Sequence, residues 1–354
     1  MNGHFFIPKL YDIMTCKKEY KNMKLQLTLN SLALILCCGD LIPSSTQPIS
    51  TQEWQEIEKK LKSAHKEPSM ITGMSIDTLT QIIGLDEFTA HKIEKRQKLL
   101  PDLFYALQNL ENQDIGVTTI YEEDYPASLR VLGTKMPLVI SYIGDLSLSY
   151  GVNISVAGPQ MMNKTMRHVT KEITKKISKE GYTVVVGGSK GVEELALRTQ
   201  LTNNGNAVLF VADHMFDKIR LYSKYIKQNK LVIMTANDPY ALFDVTHALD
   251  KNLYICGMVF AQIVTGTHIG SGPVWFTSIQ NIHSHWTRQL VYETLDYSGN
   301  IRLIEMGEAH FTDEDLKSEV TLAEILDNHE TVIKKDDPSI DQMTIFEFIE
   351  DKHE

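Results

Sequence analysis

Between residues 115 and 305, short apolar runs alternate with helical stretches, and this alternation limits the fold more than any other feature of the chain. The strand candidates are LVISYI (138–143), NISVA (153–157), TVVVG (183–187), AVLFVA (207–212), LVIMT (231–235), QIVTG (262–266) and IRLIE (301–305). Helical segments lie between them. The clearest is 164–180, where Met166, Val169, Ile173 and Ile177 recur three or four apart and Gly181 stops the turn. Nearly continuous apolar strands separated by helices need cover on both faces, which means a mostly parallel sheet. The expected class is α/β: a Rossmann-like doubly wound sheet, with ligands at the carboxyl ends of its strands.

A small all-helical N-terminal domain is expected ahead of the sheet. Residues 25–37 read as one apolar helix. In 51–65, Trp54, Ile57 and Leu61 are spaced three and four apart behind a Ser/Thr cap. Residues 75–83 and 87–111 carry similar spacing, with Ser75 and Asp86 as caps and Gly73, Gly84 and Pro101 as punctuation. Short helices with short loops suit a SAM-like or helix-hairpin-helix-like module, or a purely packing role. The expected domains are residues 1–114 (helical), 115–310 (sheet) and 311–354, an acidic helix capped by Thr312 and a polar tail. Met23 is a candidate start, which would make 1–22 an extension.

Lys and Arg number 35 against 45 Asp and Glu, a net charge of −10 that excludes a uniformly basic nucleic-acid binder. The charge is uneven, however. Residues 151–230 carry +7 and residues 305–354 carry −12. The basic surplus lies on the first half of the sheet domain, although Lys171, Lys175, Lys176 and Lys179 also suit a solvated helix face. The four cysteines form no CxxC pair and read as buried or idle thiols. His283 and His285 lack nearby ligand partners, so no metal or cofactor is expected. Met23-Lys24 followed by LQLTLNSLALILCCGDL has the order of a secretory signal. The apolar run from Leu32 to Cys38 is far short of the roughly 20 residues of a spanning helix, and no small-residue cleavage site follows. A buried helix, a cytoplasmic chain and no membrane partner are expected.

Three strand ends carry glycine: Gly158-Pro159-Gln160, Gly187-Gly188-Ser189-Lys190-Gly191, and Gly266 through Gly270-Ser271-Gly272-Pro273. Glycine lets the backbone turn sharply and approach a ligand, while the N–H groups of the next helix face an anion. Such turns often serve geometry alone, but three in one sheet point to a phosphate or nucleotide pocket. GxxxxGK[ST] is absent, and no GxGxxG follows the first strand, which argues against a P-loop NTPase and an ordinary dinucleotide site. Gly187 to Gly191 also matches the GxSxG nucleophile elbow, with Ser189 as nucleophile and Asp244, His247 or His268 as triad partners. No HGGG-type oxyanion segment accompanies it.

Taken together, these blocks resemble the DprA/Smf DNA-processing family over residues 25–305. Glu123 to Leu129 (EDYPASL) is similar to its D-x-x-Y-P-x-x-L motif. Met136-Pro137-Leu138 through Gly144-Asp145-Leu146 resembles P-x-x-L-(x)n-G-x-L. GGSKGVEELAL resembles S-G-[AG]-A-R-G-[IV]-D-x-x-A, Asp250-Lys251-Asn252 stands at the R-N-R block, and Gly270 to Thr277 resembles the last glycine-rich segment. The resemblance implies a non-enzymatic protein that binds single-stranded DNA, passes it to a RecA-type recombinase in recombination and natural transformation, and forms a homodimer. The residues facing phosphate would be Gly158, Gln160, Gly188, Ser189, Lys190, Gly191, Lys251, Asn252, Gly270, Ser271 and Gly272. Pro159 and Gln160 replace the family's Ser-Arg, Lys190 and Lys251 replace arginines and lose their bidentate fork, and Glu193 replaces an aspartate. The related decarboxylase-like branch needs a catalytic glutamate that Gly270 to Ser278 lacks. Alternatives are a small-nucleotide sensor using the same pocket, or a serine hydrolase. The acidic tail is expected to compete with DNA for the basic surface, so deleting residues 330–354 should tighten oligonucleotide binding at low salt.

Overall fold

The structure, a computed structural model, describes residues 26–317 and 319–328. The candidate start, the extension 1–22 and the tail 330–354 lie outside them.

The apolar segment after Thr28 forms helix α1, Leu29–Cys38, with the Thr28 hydroxyl accepting from the Ser31 N–H at 3.2 Å. Its residues from Ser31 to Cys37 are buried, so the signal-like stretch is a core helix. Helix α2, Thr51–Ser63, starts in a full capping box between Ser50 and Glu53. Residues Pro68–Gly73 and Thr78–Ile82 form short 3-10 and π turns. The periodic stretch 87–111 is two helices, α3 (Glu87–Gln97) and α4 (Leu100–Glu111), because Pro101 fits only the first turn of a new helix. Helix α1 carries no basic residue in its last turn. Arg96 of α3, 1% exposed, supplies the missing donors. Its guanidinium donates to the carbonyls of Leu36 (2.6 Å), Gly39 (2.6 Å) and Thr46 (3.0 Å). Carbonyls at a helix end otherwise lack partners, and a buried cation there also meets the negative end of the dipole.

Among the described residues, nine strands form one sheet: β1 (Gly116–Thr119), β2 (Val139–Ile143), β3 (Asn153–Ala157), β4 (Thr183–Val186), β5 (Ala207–Phe210), β6 (Leu231–Thr235), β7 (Ala261–Val264), β8 (Arg288–Tyr292) and β9 (Ala309–Phe311). Their spatial order is β1-β2-β6-β5-β4-β3-β7-β8-β9. Strands β3 to β9 run parallel, whereas β2 is antiparallel to both β1 and β6. The chain moves outward from β3 to β6, then returns beside β3 as β7. The point where the winding reverses is between the carboxyl ends of β3 and β7.

The expected α/β class holds, with differences in detail. IRLIE is not a strand: it lies in helix α10, Ser298–Glu305, which buries Leu303 and leaves Ile301 and Ile304 half-buried. Strand β8 lies instead at RQLVY, where Arg288 and Gln289 dilute the apolar run. Strand β1 is four residues with two threonines, and β9 is three residues. The acidic helix begins at Leu322, not after Thr312. The Asp315 carboxylate instead accepts from the Thr312 N–H at 2.8 Å and holds that segment in turns.

Helices α5 (Lys164–Lys179), α6 (Val192–Thr202) and α7 (Met215–Lys227) cover one face over Ile154, Val156, Val184, Val186 and Leu209. The last helix, α11 (Leu322–Asn328), joins this layer. The Glu180 carboxylate accepts from the N–H groups of Leu322 (2.5 Å) and Ala323 (3.1 Å), and Lys176 donates to the carbonyls of Lys317 and Val320. Lys176 is therefore buried, unlike its exposed neighbours Lys171, Lys175 and Lys179. Helices α8 (Val245–Met258), α9 (Gly272–Ser284) and α10 cover the other face with the N-terminal helices. One core runs from Leu34 and Trp54 to Val185, Phe210 and Met234, so the helical segment packs directly on the sheet.

Arg96→Met should lower stability by roughly 3 kcal/mol or more, because it leaves buried carbonyls unpaired. Urea unfolding measures this, with the exposed Lys98→Met expected within about 0.5 kcal/mol of the parent.

Candidate functional site

The turns after β3 and β4 rest on each other, and two glycines make this possible. Gly191 precedes α6 with φ 92° and ψ −124°, a conformation open in practice only to glycine. A Cβ there would strike the carbonyl oxygens of Pro159 and Gln160. A Cβ on Gly158 would meet Val192 at 2.8 Å and also the Thr265 hydroxyl. Thr265, just past β7, donates its N–H to Ala157 at 2.9 Å. The carboxyl ends of β3, β4 and β7 therefore meet within van der Waals distance. Gln160 contributes its backbone to this contact, and the residue itself is exposed.

The second turn is already furnished with charge. Lys251 of α8, 6% exposed, lies over Gly187 where a side chain would otherwise stand. Its ammonium is 3.4 Å from the Ser189 hydroxyl and 4.0 Å from the Glu193 carboxylate. That carboxylate accepts from the Ser189 N–H at 2.9 Å. The Val192 N–H donates to Pro159 at 3.2 Å, and the Glu194 N–H to Ser189 at 3.1 Å. Two N–H groups at the start of α6 are thus met by the chain itself. Lys251 and Ser189 form the lining of the turn, and Lys190 is the exposed cation above it. Beside Lys251, burial holds the Asp250 carboxyl above the usual range.

Sequence reasoning missed Lys218. This α7 residue donates to the Gly188 carbonyl at 3.2 Å and brings a half-buried ammonium to the same turn. The signal was available: in a doubly wound sheet the first turn of the next crossover helix faces the same edge. The exposed Tyr240, Leu242 and Phe243, in the loop from β6 to α8, are a second feature it passed over.

The third turn is built differently. Gly270 (φ 65°) and Gly272 (φ 78°) flank Ser271, which precedes α9 without capping it. The start of α9 is thus uncapped by Ser271, and Pro273 brings no N–H to its first turn, in contrast to α5, where Asn163 accepts from the Met166 N–H at 2.7 Å. The turn is tied to the start of α10, since the Ile269 N–H donates to Ser298 (3.3 Å) and the Thr267 N–H to Asn300 (2.8 Å). Asn252 lines a cavity of about 20 Å³ with Ser155, Glu193, Gln262 and α9's Val274 and Thr277. Through that cavity wall the third turn's helix meets the second turn's glutamate.

Ser189 receives no hydrogen bond from a histidine among the described residues. Asp244 caps the His247 N–H at 3.1 Å, and His268 stacks against Tyr297 at 5.1 Å. The nominated triad is not hydrogen-bonded together. Among the described residues no group of three or more His, Cys, Asp or Glu is placed to hold a metal, and no helix is long and apolar enough to cross a membrane.

A doubly wound sheet with glycine turns meeting at its switch point defines a Rossmann-like α/β protein. Residues 116–315 match the family model described as DNA recombination-mediator protein A, and the chain belongs to that family. It is 23% identical over 270 residues to the DNA processing protein DprA of Bacillus subtilis (strain 168), covering 73% of this chain and 89% of the relative. Its fold is similar to the X-ray structure of DprA from Streptococcus pneumoniae, with TM-score 0.66 and 16% identity over 86% of this chain and 99% of that one. DprA from Helicobacter pylori, described by its single-stranded DNA binding mode, matches with TM-score 0.50 and 15% identity over 60% of this chain and 97% of that one.

Lys251→Met should cost about 3 kcal/mol, the usual penalty for stranding a buried partner such as Glu193. Lys190→Ala should change stability by less than about 0.5 kcal/mol. Thermal and urea unfolding of both variants distinguish the buried cation from the exposed one.

Proposed function

We propose that this protein binds single-stranded DNA along the carboxyl edge of its parallel sheet, through backbone phosphate contacts, and acts in DNA processing as a recombination mediator. The observation that carries this reading is the meeting of the β3, β4 and β7 ends at the switch point. There Lys190 and Lys218 reach the second turn, and the uncapped start of α9 belongs to the third. Cations beside backbone N–H groups suit phosphate oxygens without reading sequence. Exposed Tyr240 and Phe243 offer ring faces on which bases of any sequence can stack. Family membership adds the biological setting.

Gly158, Gln160, Gly188, Ser189, Lys190, Gly191, Lys251, Asn252, Gly270, Ser271 and Gly272 form the proposed site, with unequal roles. Gly158 and Gly191 set the turns, Lys251 holds the second turn from below, and Lys190 and the 270–272 segment meet the strand. Lys218 joins them. Transfer of the strand to a RecA-type recombinase, work as a homodimer, a part in natural transformation and a cytoplasmic setting belong to the same proposal. Chemistry on the DNA does not.

Binding of a labelled oligonucleotide should be insensitive to sequence and should fall steeply with salt, by about 0.7 in logarithmic slope for each phosphate neutralised. The Lys190→Ala, Lys218→Ala double variant should remain folded and lose about one to two phosphates' worth of that slope. No binding to single strands at low salt would end this reading.

A further inference from the structure

At the opposite, amino end of the sheet lies a cavity of about 560 Å³ that the DNA-binding edge does not use. Its wall comes from the end of α8, the end of α9, the start of β8 and the residue before β9, with Leu326 of α11 alongside. The size falls within the range of small-ligand sites. Its polar groups are of three kinds. The Glu308 carboxyl stands beside Gln289, itself 1% exposed, whose amide donates to the Ser278 carbonyl at 3.2 Å and accepts from Gln262 at 3.3 Å. The Arg288 guanidinium lies over the Phe260 ring at 5.1 Å, where stacking fixes its position. His285 and the indole of Trp286 complete the lining, with the Lys135 ammonium 5.4 Å from the indole centre.

We propose that this cavity is a second binding site, for a small nucleotide whose base carries an amino group. The carboxyl of Glu308 accepts the base's N–H groups, beside the Gln289 amide. The half-buried Trp286 and the Phe260 ring supply apolar walls for a planar heterocycle. Arg288, exposed at the mouth, supplies the cationic side that a phosphate needs, with the exposed His285 ring beside it. A carboxyl and a guanidinium separated by ring surfaces suit a ligand that is a donor at one end and an anion at the other. Inorganic phosphate has only the anionic end, and uracil presents no amino group. Burial pushes the Glu308 carboxyl up to about 7, with the neighbouring Gln289 amide opposing the shift. An N–H donor placed against that carboxyl relieves part of the cost of burying it.

Ligand-induced thermal stabilisation of the whole chain tests the site, with AMP, GMP, CMP, UMP and inorganic phosphate compared in parallel. At least one of AMP, GMP and CMP should raise the Tm saturably, while UMP and phosphate should not. Glu308→Gln and Arg288→Ala, each still folding cooperatively, should weaken that nucleotide by at least about tenfold in Kd. The Lys190→Ala, Lys218→Ala double variant at the other edge should leave it unchanged. No rise with any nucleotide overturns the proposal. So does an equal response to UMP or phosphate, or a response that survives both Glu308→Gln and Arg288→Ala. Loss of the response in the Lys190/Lys218 variant would place the ligand at the glycine turns and also overturn it.

Discussion

The close approach of the β3 and β4 turns is the contact on which the rest of the site depends. Without side chains at Gly158 and Gly191, the carbonyls of Pro159 and Gln160 reach the start of α6, and Val192 fits under the first turn. Any Cβ at these points would push the two strand ends apart. That displacement would carry Ser189 away from Glu193 and Lys251, and Thr265 away from Ala157. The glycines thus serve packing first. Their placing of backbone near a ligand follows from that packing.

Buried cations do much of the structural work. Arg96 closes α1, Lys176 docks the C-terminal segment, and Lys251 supports the second turn. Each ends on carbonyl or carboxylate oxygens, as a cation removed from water must. A net charge per segment does not separate these residues from those left for a ligand. In the basic stretch 151–230, Lys176 holds backbone carbonyls, while Lys175 pairs with Glu172 and Arg198 with Glu194. Lys190 remains exposed above the second turn. Glu193 makes the same point for anions. Its carboxylate takes the Ser189 N–H that an incoming phosphate would otherwise find.

The parallel core was legible because strands β3 to β7 are buried on both faces and so are mostly apolar. The edge strand β1 and the penultimate strand β8 depart from that rule. Strand β1 keeps two threonines because Thr118 and Thr119 bond to Asp124 and Ser31, and β8 keeps Gln289 because Gln262 lies beside it in register. IRLIE misleads for the converse reason: a helix that covers a sheet with one stripe can hold as many apolar residues in five positions as a strand does. The helical opening was legible in its caps, since Ser50 with Glu53 and Asp86 with the Thr89 N–H are local interactions.

By itself, the sequence determined the alternation of strand and helix, the three glycine turns and the family to which they belong. All of these rest on interactions within a few residues, or on burial patterns that repeat along the chain. Only the tertiary structure decided which groups at those turns face outward. Lys251 and Glu193 come from different helices and meet beneath the second turn. Lys218 reaches the second turn from the next crossover, and Glu308 joins Arg288 at the far end of the sheet. Those meetings depend on strand order. Pairing between strands distant in the chain is set by the packing of the whole sheet and leaves no local mark on the residues it brings together.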